Sequence, residues 1–267
     1  MTEAFFTKHA DDPERFSPTD HCRGPWSPDH CHAGPPTGLL ARAMELALPE
    51  QRLTRITVEL TRPIPFEGFT VHANVLRRGR TVSTAEANIH SLDGNPVLTA
   101  RGLFMNLAAE PLSLPSGASA RQPISGYGKP EHATPNHFPI TEVLHDLPCF
   151  AGDGVETRFV EGHDAKPGPT CAWLKTVPLF IDETASPFQR ICPLADCGNA
   201  FGRLSEPAEL TFMNTDLTVL LHRDPQGEWM GTDSACFWEP TGIGLSDSQL
   251  FDEHGIVGRA IQTLLLR

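Results

Sequence analysis

Hydrophobic residues recur at helical spacing between Thr37 and Leu48, and they fall on one side of the helical wheel. Arg42 and Glu45 fall elsewhere on the wheel, as expected for an amphipathic helix. The stretch begins with Gly34-Pro35-Pro36, and proline is favoured in the first turn of a helix. The pattern therefore predicts a helix from Thr37 to Leu48, opened by these three residues.

Four runs with strand character follow this helix. Turn residues separate the second run from the third at Arg78-Gly79-Arg80 and the third from the fourth at Asp93-Gly94. A helix followed by an antiparallel meander is typical of the α+β class. The predicted strands are Arg55–Leu60, Phe69–Arg78, Thr81–Ser91 and Pro96–Met105.

The same pattern returns 161 positions later without a gap. Sequence identity between the two stretches is low, so a chance alignment is the alternative, but the shared order of turn residues and hydrophobic runs favours a duplicated unit. The superposed residues include Thr57 and Thr218, Val58 and Val219, Leu60 and Leu221, Arg62 and Arg223, and Gly94 and Gly255.

A second helix is predicted ahead of the second meander. Ser186 is placed as its N-cap, Pro187 at the first helical position and Gln189 at the third, which is a capping-box signature. We expect this helix to continue through Asp196 towards Phe201. Residues 107–170 have sparse periodicity and many prolines. The predicted organisation is an N-terminal unit over 1–108, a connector over 109–165 and a C-terminal unit over 166–267.

Composition and charge exclude several classes of protein. The chain has 267 residues, with 21 Lys and Arg against 33 Asp and Glu, and its formal charge of −12 opposes general attraction to nucleic acid or to an anionic membrane. A polyanionic ligand would need a local basic pocket. We find no signal peptide and no membrane-spanning stretch, and seven cysteines without CxxC spacing indicate free thiols. We therefore expect a cytoplasmic protein.

Three polar residues in apolar surroundings are candidates for chemistry. Asp196 is the one charged residue between Arg190 and Arg203, although a helix-capping or surface aspartate is the alternative. Gln262 shares a strand face with leucines, where a glutamine bonded to backbone is the alternative. Asn214 begins the strand after the second helix, where a turn-forming asparagine is the alternative.

Other motifs carry less information. The chain lacks a GxSxG elbow, a Walker loop, a dinucleotide-binding fingerprint and an HExxH pair. Arg77, Arg78 and Arg80 surround a predicted hairpin and are candidates for binding phosphate, with an exposed, solvated turn as the alternative. A cluster of His and Cys residues resembles a metal site only in composition, since its spacing fits no zinc motif, so we predict no metal. Its members are His21, Cys22, His30, Cys31 and His32.

Together these residues resemble the double hotdog acyl-CoA thioesterases of the acyl-CoA thioesterase II type. The resemblance covers residues 20–106 and 170–267, and no single motif is diagnostic, whereas their order and the duplication are more specific. The motifs are His32-Ala33-Gly34-Pro35-Pro36, Thr61-Arg62-Pro63, Leu194-Ala195-Asp196, Leu221-His222-Arg223 and Gly258-Arg259-Ala260-Ile261-Gln262.

The resemblance implies two hotdog folds, each a long helix wrapped by an antiparallel sheet, and hydrolysis of an acyl-CoA without a cofactor. It places Asp196, Asn214 and Gln262 at the positions that hold and activate the hydrolytic water, with Asp196 as general base. Asn214 departs from the family pattern, which has a hydroxyl residue there. Backbone N–H groups near Gly34 are expected to receive the developing oxyanion. Further association into homo-oligomers is typical of the fold.

The sequence also bears on the number of sites and on the alternatives to this interpretation. Arg101 superposes on Gln262 by the shift of 161, so one site per chain is expected. The substitution at Asn214 leaves open a non-catalytic acyl-CoA-binding protein with a degenerate site. A hotdog hydratase is less consistent with the sequence, because that site carries a histidine five residues after the aspartate, where this chain has Phe201.

Overall fold

The first half of the chain is a helix followed by a four-stranded meander. In this computed structural model, which describes residues 3–115, 126–140 and 147–267, both predictions are confirmed, and the helix includes Gly34 and the two prolines. Two short strands precede the helix. The elements are β1 (Phe6–Lys8), β2 (Arg15–Pro18), α1 (Gly34–Ala47), β3 (Arg52–Leu60), β4 (Phe69–Arg77), β5 (Val82–Ser91) and β6 (Pro96–Met105).

The second half repeats this order after three additional strands. Its elements are β7 (Thr134–Asn136), β8 (Val155–Phe159), β9 (Thr170–Thr176), α2 (Pro187–Ala195), α3 (Gly198–Phe201), β10 (Phe212–Asn214), β11 (Asp216–Leu221), β12 (Met230–Trp238), β13 (Ile243–Asp252) and β14 (Gly255–Leu266). The limits of β12 and β13 are those of β4 and β5 moved by 161 residues, so the predicted spacing is confirmed for these strands.

One antiparallel sheet joins the two halves. Its strand order is β1-β2-β4-β5-β6-β3-β11-β14-β13-β12-β9-β8-β7, and β10 pairs with β14. The halves meet where β3 pairs with β11, and Thr57 lies directly opposite Thr218, the residue 161 positions later. Because repeat-related residues face each other there, a local two-fold axis passes through this pair.

The repeat slips by one residue in the last strand. In the first half Ala85 pairs with Gly102, whereas Ser246, its equivalent in the second half, pairs with Gln262. Gly102 rather than Arg101 therefore matches Gln262 in the sheet, and the gapless alignment was wrong at this strand. Both hairpins shift register at equivalent points, between Ile89 and His90 and between Leu250 and Phe251, so the slip arises in the turns that connect the strands. His90 pairs with Pro96, whereas its equivalent Phe251 pairs with Ile256 rather than with Val257.

Part of the predicted connector belongs to the sheet. Strands β7 and β8 both lie within 109–165, and β8 pairs with β9 over five residues. The segments 116–125 and 141–146 of this connector lie outside the described residues. Pro135 in β7 and the many breakers around it hid these strands in the sequence, because the predicted pattern depends on uninterrupted alternation.

The second helix ends earlier than predicted. Ser186 accepts a hydrogen bond from the Gln189 backbone N–H (3.1 Å), so the N-cap is confirmed. However, α2 stops at Ala195, Asp196 is its C-cap, and α3 starts at Gly198. Pro193 within α2 removes one N–H from the helical ladder, which weakens the helix at this end.

The sheet approaches the start of α3 so closely that Gly198 admits no side chain. A Cβ atom there would lie 2.2 Å from Ser248 Oγ and 2.8 Å from Ser246 Oγ. The glycine therefore sets the depth at which the Asp196 turn lies against the sheet.

We expect Gly198→Ala to destabilise the protein by about 1–3 kcal/mol, because an overpacked core must shift its side chains or backbone. Urea unfolding measures the loss. Adding Ser248→Ala should recover part of it, since the closest contact is then removed. Gly152→Ala is the matched control, because its added Cβ would have only Cys149 Sγ at 4.0 Å nearby. Equal effects of the two glycine substitutions would contradict this assignment.

Candidate active site

The side chain of Asp196 is buried between the two halves of the protein and is only 4% exposed. Its Oδ1 atom accepts hydrogen bonds from Asn214 Nδ2 (2.8 Å) and from Gln262 Nε2 (3.0 Å). The structure therefore brings together the three residues that the sequence selected. Both amides donate to the carboxylate, and both stabilise its ionised form.

Gln262 is fully committed to bonds within the protein. Its Nε2 also donates to the Asp196 backbone carbonyl (3.1 Å), and its Oε1 accepts from the Asn199 backbone N–H (3.0 Å). This second bond fixes which way the amide points. The alternative of a buried glutamine bonded to backbone is therefore correct as well, and the two descriptions are compatible.

Asn214 lies at the end of β10, just before Thr215 interrupts the strand and β11 begins. Its side chain is half-buried and lines a cavity with Asp196. Only its Nδ2 atom is used by the protein in the described structure, so its carbonyl Oδ1 is available to a group in the cavity.

A fourth residue, His32, lies on the opposite side of Asp196. Its Nδ1 atom is 3.3 Å from Asp196 Oδ2 and accepts a hydrogen bond from the Gly34 backbone N–H (3.2 Å). The imidazole stacks on Phe150, with ring centroids 4.0 Å apart and an angle of 12° between the planes. In the sequence, His32 stood out only as a member of the His and Cys cluster and as the first residue of the motif His32-Ala33-Gly34-Pro35-Pro36. Its position two residues before the glycine that opens α1 is the signal that could have selected it.

Burial dominates the protonation of this pair. It raises the pKa of Asp196 from its ordinary value of 3.8 to about 7, although hydrogen bonds from Asn214, Gln262 and the Gly34 backbone act in the opposite direction. Burial also lowers the pKa of His32 to about 3. The imidazole is therefore neutral near pH 7, and its contact with Asp196 is not an ion pair.

The cavity beside Asp196 has a volume of about 370 Å³ and is mostly apolar. Both halves contribute to its wall, together with Phe138 and Ile140 from the connector region. Asp196 is its one carboxylate and Arg62 its one Arg or Lys among the described residues. The remaining lining residues are Gly24, Pro25, Trp26, His30, Cys31, His32, Ala33, Leu60, Thr61, Pro63, Ile64, Asn199, Ala200, Met213, Asn214, Thr215 and Leu265.

A second, larger groove of about 560 Å³ runs beside α2. Asp196, Asn214 and Gln262 do not line it, and Lys175 and Glu228 in its wall pair with each other at 2.6 Å. The smaller cavity is thus the one whose wall contains Asp196 and Asn214.

The structure does not bring Arg77, Arg78 and Arg80 to this cavity. Arg77 donates to the Val82 carbonyl, and Arg78 donates to the Ala47 carbonyl at the C-terminal end of α1. Gly34 is at the other end of the same 14-residue helix, about 20 Å away. A role for these three arginines in binding phosphate stays a prediction. Arg62 is the arginine that lines the cavity itself.

The N-terminus of α1 is not an open set of donors. Pro35 and Pro36 have no N–H, and the Thr37 N–H bonds to the Ala33 carbonyl (3.0 Å). The one remaining donor, the Gly34 N–H, is directed at His32 and Asp196. Gly34 has a packing role instead, because a Cβ there would lie 2.6 Å from the Pro193 carbonyl oxygen. The backbone donors of this first turn are thus engaged within the protein, and an oxyanion site near Gly34 stays a prediction.

Of the His and Cys cluster, Cys22 and Cys31 contact each other, but the members do not form one group. His21 bonds to the Asp153 carbonyl, Cys31 bonds to the Pro65 carbonyl, and His32 contacts Asp196. In the part of the chain that the structure describes, no group of three or more His, Cys, Asp or Glu residues is placed to hold a metal ion. All seven cysteines are unpaired, as predicted. No helix in the described ranges is long and apolar enough to span a membrane.

Comparison with known proteins identifies the family. Residues 22–105 match the acyl-CoA thioesterase N-terminal domain, and residues 130–266 match the acyl-CoA thioesterase C-terminal domain. The chain therefore belongs to the acyl-CoA thioesterase family, and it is a thioesterase, an enzyme that hydrolyses thioesters. A comparison with curated proteins gave no match.

Solved structures show the same fold at low sequence identity. A protein of Novosphingobium aromaticivorans is 18% identical, with 98% of each chain covered and a TM-score of 0.72. A hot dog fold protein of Alicyclobacillus acidocaldarius is 15% identical, with 99% of this chain and 97% of that chain covered and a TM-score of 0.72. Acyl-CoA thioesterase II TesB2 of Mycobacterium marinum is 16% identical, with 98% and 94% covered and a TM-score of 0.63. These likenesses establish the hotdog fold.

The raised pKa of Asp196 predicts a pH-dependent stability difference between the wild type and Asp196→Asn. Between about pH 4 and 7 the unfolded chain has this carboxylate ionised while the folded chain keeps it protonated, so the wild type loses stability as the pH rises through this window. Asparagine does not titrate. We expect Asp196→Asn to gain up to about 4 kcal/mol relative to the wild type between pH 4 and pH 8. Urea unfolding at the two pH values measures this gain, and a difference independent of pH would refute the assignment.

Proposed function

We propose that this enzyme hydrolyses an acyl-CoA to the free acid and CoA, with a water molecule activated by Asp196. One observation carries the proposal: a buried carboxylate, held by two amides, lies against an apolar cavity large enough for part of an acyl chain. We also propose that the two halves form a double hotdog, with the cavity where they meet.

Asp196 is suited to act as a general base. With a pKa of about 7 it is substantially ionised near neutral pH, yet it is basic enough to take a proton from water in the transition state. The bonds from Asn214 and Gln262 occupy Oδ1. Oδ2 therefore remains as the atom that accepts the proton.

The two amides have different roles in this proposal. Gln262 is a positioning residue, because both ends of its amide are bonded within the protein. Asn214 supplies a carbonyl oxygen at the cavity wall that can accept a hydrogen bond from the water while Asp196 accepts the other. Asparagine can thus replace a hydroxyl residue as the second contact of the water molecule.

The reaction then proceeds through a tetrahedral intermediate. Water attacks the thioester carbonyl carbon, its proton passes to Asp196, and the carbonyl π electrons move to oxygen. The intermediate collapses with cleavage of the C–S bond, and the proton on Asp196 passes to the thiolate. Each step conserves charge, and the last step returns Asp196 to its ionised form.

The same proposal covers the substrate, the oligomeric state and the cellular compartment. The substrate is an acyl-CoA, with no role for nucleic acid, membrane, metal or cofactor in the chemistry. A homo-oligomer in the cytoplasm is consistent with the family and with seven unpaired cysteines.

The second candidate function is that of an acyl-CoA-binding protein without turnover. The asparagine at position 214, where the family has a hydroxyl residue, favours it.

The first test is release of free thiol from acyl-CoAs of graded chain length. We expect Asp196→Asn to lower kcat by about 100-fold or more, the range for loss of a general base. The wild-type kcat/KM should rise with pH through about 7 and then level off, because Asp196 must be ionised. If acyl-CoA raises the melting temperature but no thiol is released, the binding-protein alternative replaces this proposal.

Arg62 provides a test of the substrate's phosphates. It is exposed at the cavity and has no ion-pair partner among the described residues, so it can meet an anion. We expect Arg62→Ala to raise KM for acyl-CoA about three- to tenfold, the effect of one exposed charge pair. A thioester of N-acetylcysteamine, which has no phosphate, should show no change.

Arg80→Ala is the matched control for this measurement, since Arg80 is also exposed but lies on the distant hairpin. Equal increases in KM for Arg62→Ala and Arg80→Ala would show a general charge effect. An increase with the N-acetylcysteamine thioester would place Arg62 against the acyl or pantetheine part instead.

A further inference from the structure

The geometry of His32 points to a catalytic residue for the proposed reaction. We propose that the Nε2–H group of His32 donates a hydrogen bond to the oxyanion that forms when water attacks the thioester. The inference rests on the proposed function, and it supplies the one component that the reaction needs and the backbone of α1 does not provide.

The first step is the absence of another donor at the start of α1. The two prolines contribute no N–H, Thr37 is bonded within the helix, and the Gly34 N–H is directed at His32 and Asp196. A thioester carbonyl in the cavity therefore meets no unpaired backbone donor in the first turn of this helix. A side chain nearby is therefore a candidate for stabilising the developing oxyanion.

The second step is the tautomer of His32. The Gly34 backbone N–H can only donate, and it is directed at both Nδ1 and the Asp196 carboxylate. We therefore assign Nδ1 as an acceptor that shares this N–H with Asp196 Oδ2, 3.3 Å away, and place the proton of the neutral ring on Nε2. The lowered pKa of the imidazole agrees with a neutral ring. This ring is thus an uncharged donor whose N–H direction is set by its bond at the opposite edge.

The third step is the position of Nε2. His32 lines the same cavity as Asp196 and Asn214. Within the described residues Nε2 has no hydrogen-bond partner, and it is not among the polar atoms that are sealed from solvent. Stacking on Phe150 holds the plane of the ring. A donor that is fixed in direction and unpaired before substrate binds has the properties of an oxyanion-binding group.

The arrangement also separates the two charges of the reaction. Oδ2 of Asp196 lies at the Nδ1 edge of the imidazole, whereas the proposed oxyanion lies at the Nε2 edge. The ring keeps its proton throughout, so the proton balance of the proposed reaction is unchanged.

Two variants separate a catalytic role from a packing role. His32→Gln places an amide N–H near the position of Nε2 but loses the stack on Phe150. His32→Phe keeps the stack but has no donor. We expect His32→Phe to lower kcat about 10²- to 10³-fold, the loss typical of one oxyanion donor, and His32→Gln to retain clearly more activity. Melting temperatures should follow the opposite order.

The result that would overturn the inference is a kcat that follows stability, with His32→Phe more active than His32→Gln, or a His32→Phe enzyme within threefold of the wild type. Measuring Asp196→Asn in the same series distinguishes the two levels of the argument. If the wild type releases no thiol, or Asp196→Asn is fully active, the proposed function fails. If Asp196→Asn is inactive and His32→Phe is not, only the role of His32 fails.

Discussion

The burial of one carboxylate is the constraint on which the site depends. An ionised Asp196 in an apolar interior is costly unless its oxygens are compensated, and the protein supplies amides on one side and the Gly34 N–H on the other. These hydrogen bonds offset the cost of burial only in part, which is why the pKa of Asp196 is about 7 rather than its ordinary value of 3.8. That residual cost gives Asp196 a pKa suited to a base at neutral pH, so the features that strain the fold here are those that the proposed chemistry would use.

The two halves differ at the positions that hold Asp196. In the sheet, the position of Gln262 corresponds to Gly102, where a Cβ would lie 2.9 Å from Met44 Sδ. A second carboxylate, Glu45, lies where α1 meets α2. Burial raises its pKa, while hydrogen bonds from Gln189 Nε2 (2.6 Å) and Ser186 Oγ (2.8 Å) act in the opposite direction. Glu45 is engaged at the N-terminus of α2, where a negative charge is favourable.

The sequence revealed what depends on local periodicity and missed what depends on contacts between distant segments. Helix α1 and strands β3 to β6 follow from hydrophobic spacing, and Asp196 and Gln262 were recognisable as polar residues in apolar runs. The slip of one residue in β14 has no signature in a gapless alignment, and the roles of His32 and Arg62 depend on the packing of one half against the other. Arg77, Arg78 and Arg80 form the more conspicuous basic cluster in the sequence, and Arg78 lies at the end of α1 opposite to Gly34.

The site belongs to neither half alone. Asp196, Asn214 and Gln262 come from the second half, whereas His32 and Arg62 come from the first, and the pairing of β3 with β11 holds the two sets in register. The close contact between Gly34 and Pro193 adds a second fixed point between α1 and α2. Because a hydrogen-bonded seam and a helix contact both fix the relative position of the halves, the cavity is formed before substrate arrives. Such preorganisation is what allows fixed donors to stabilise a short-lived charge without reorganising during the reaction.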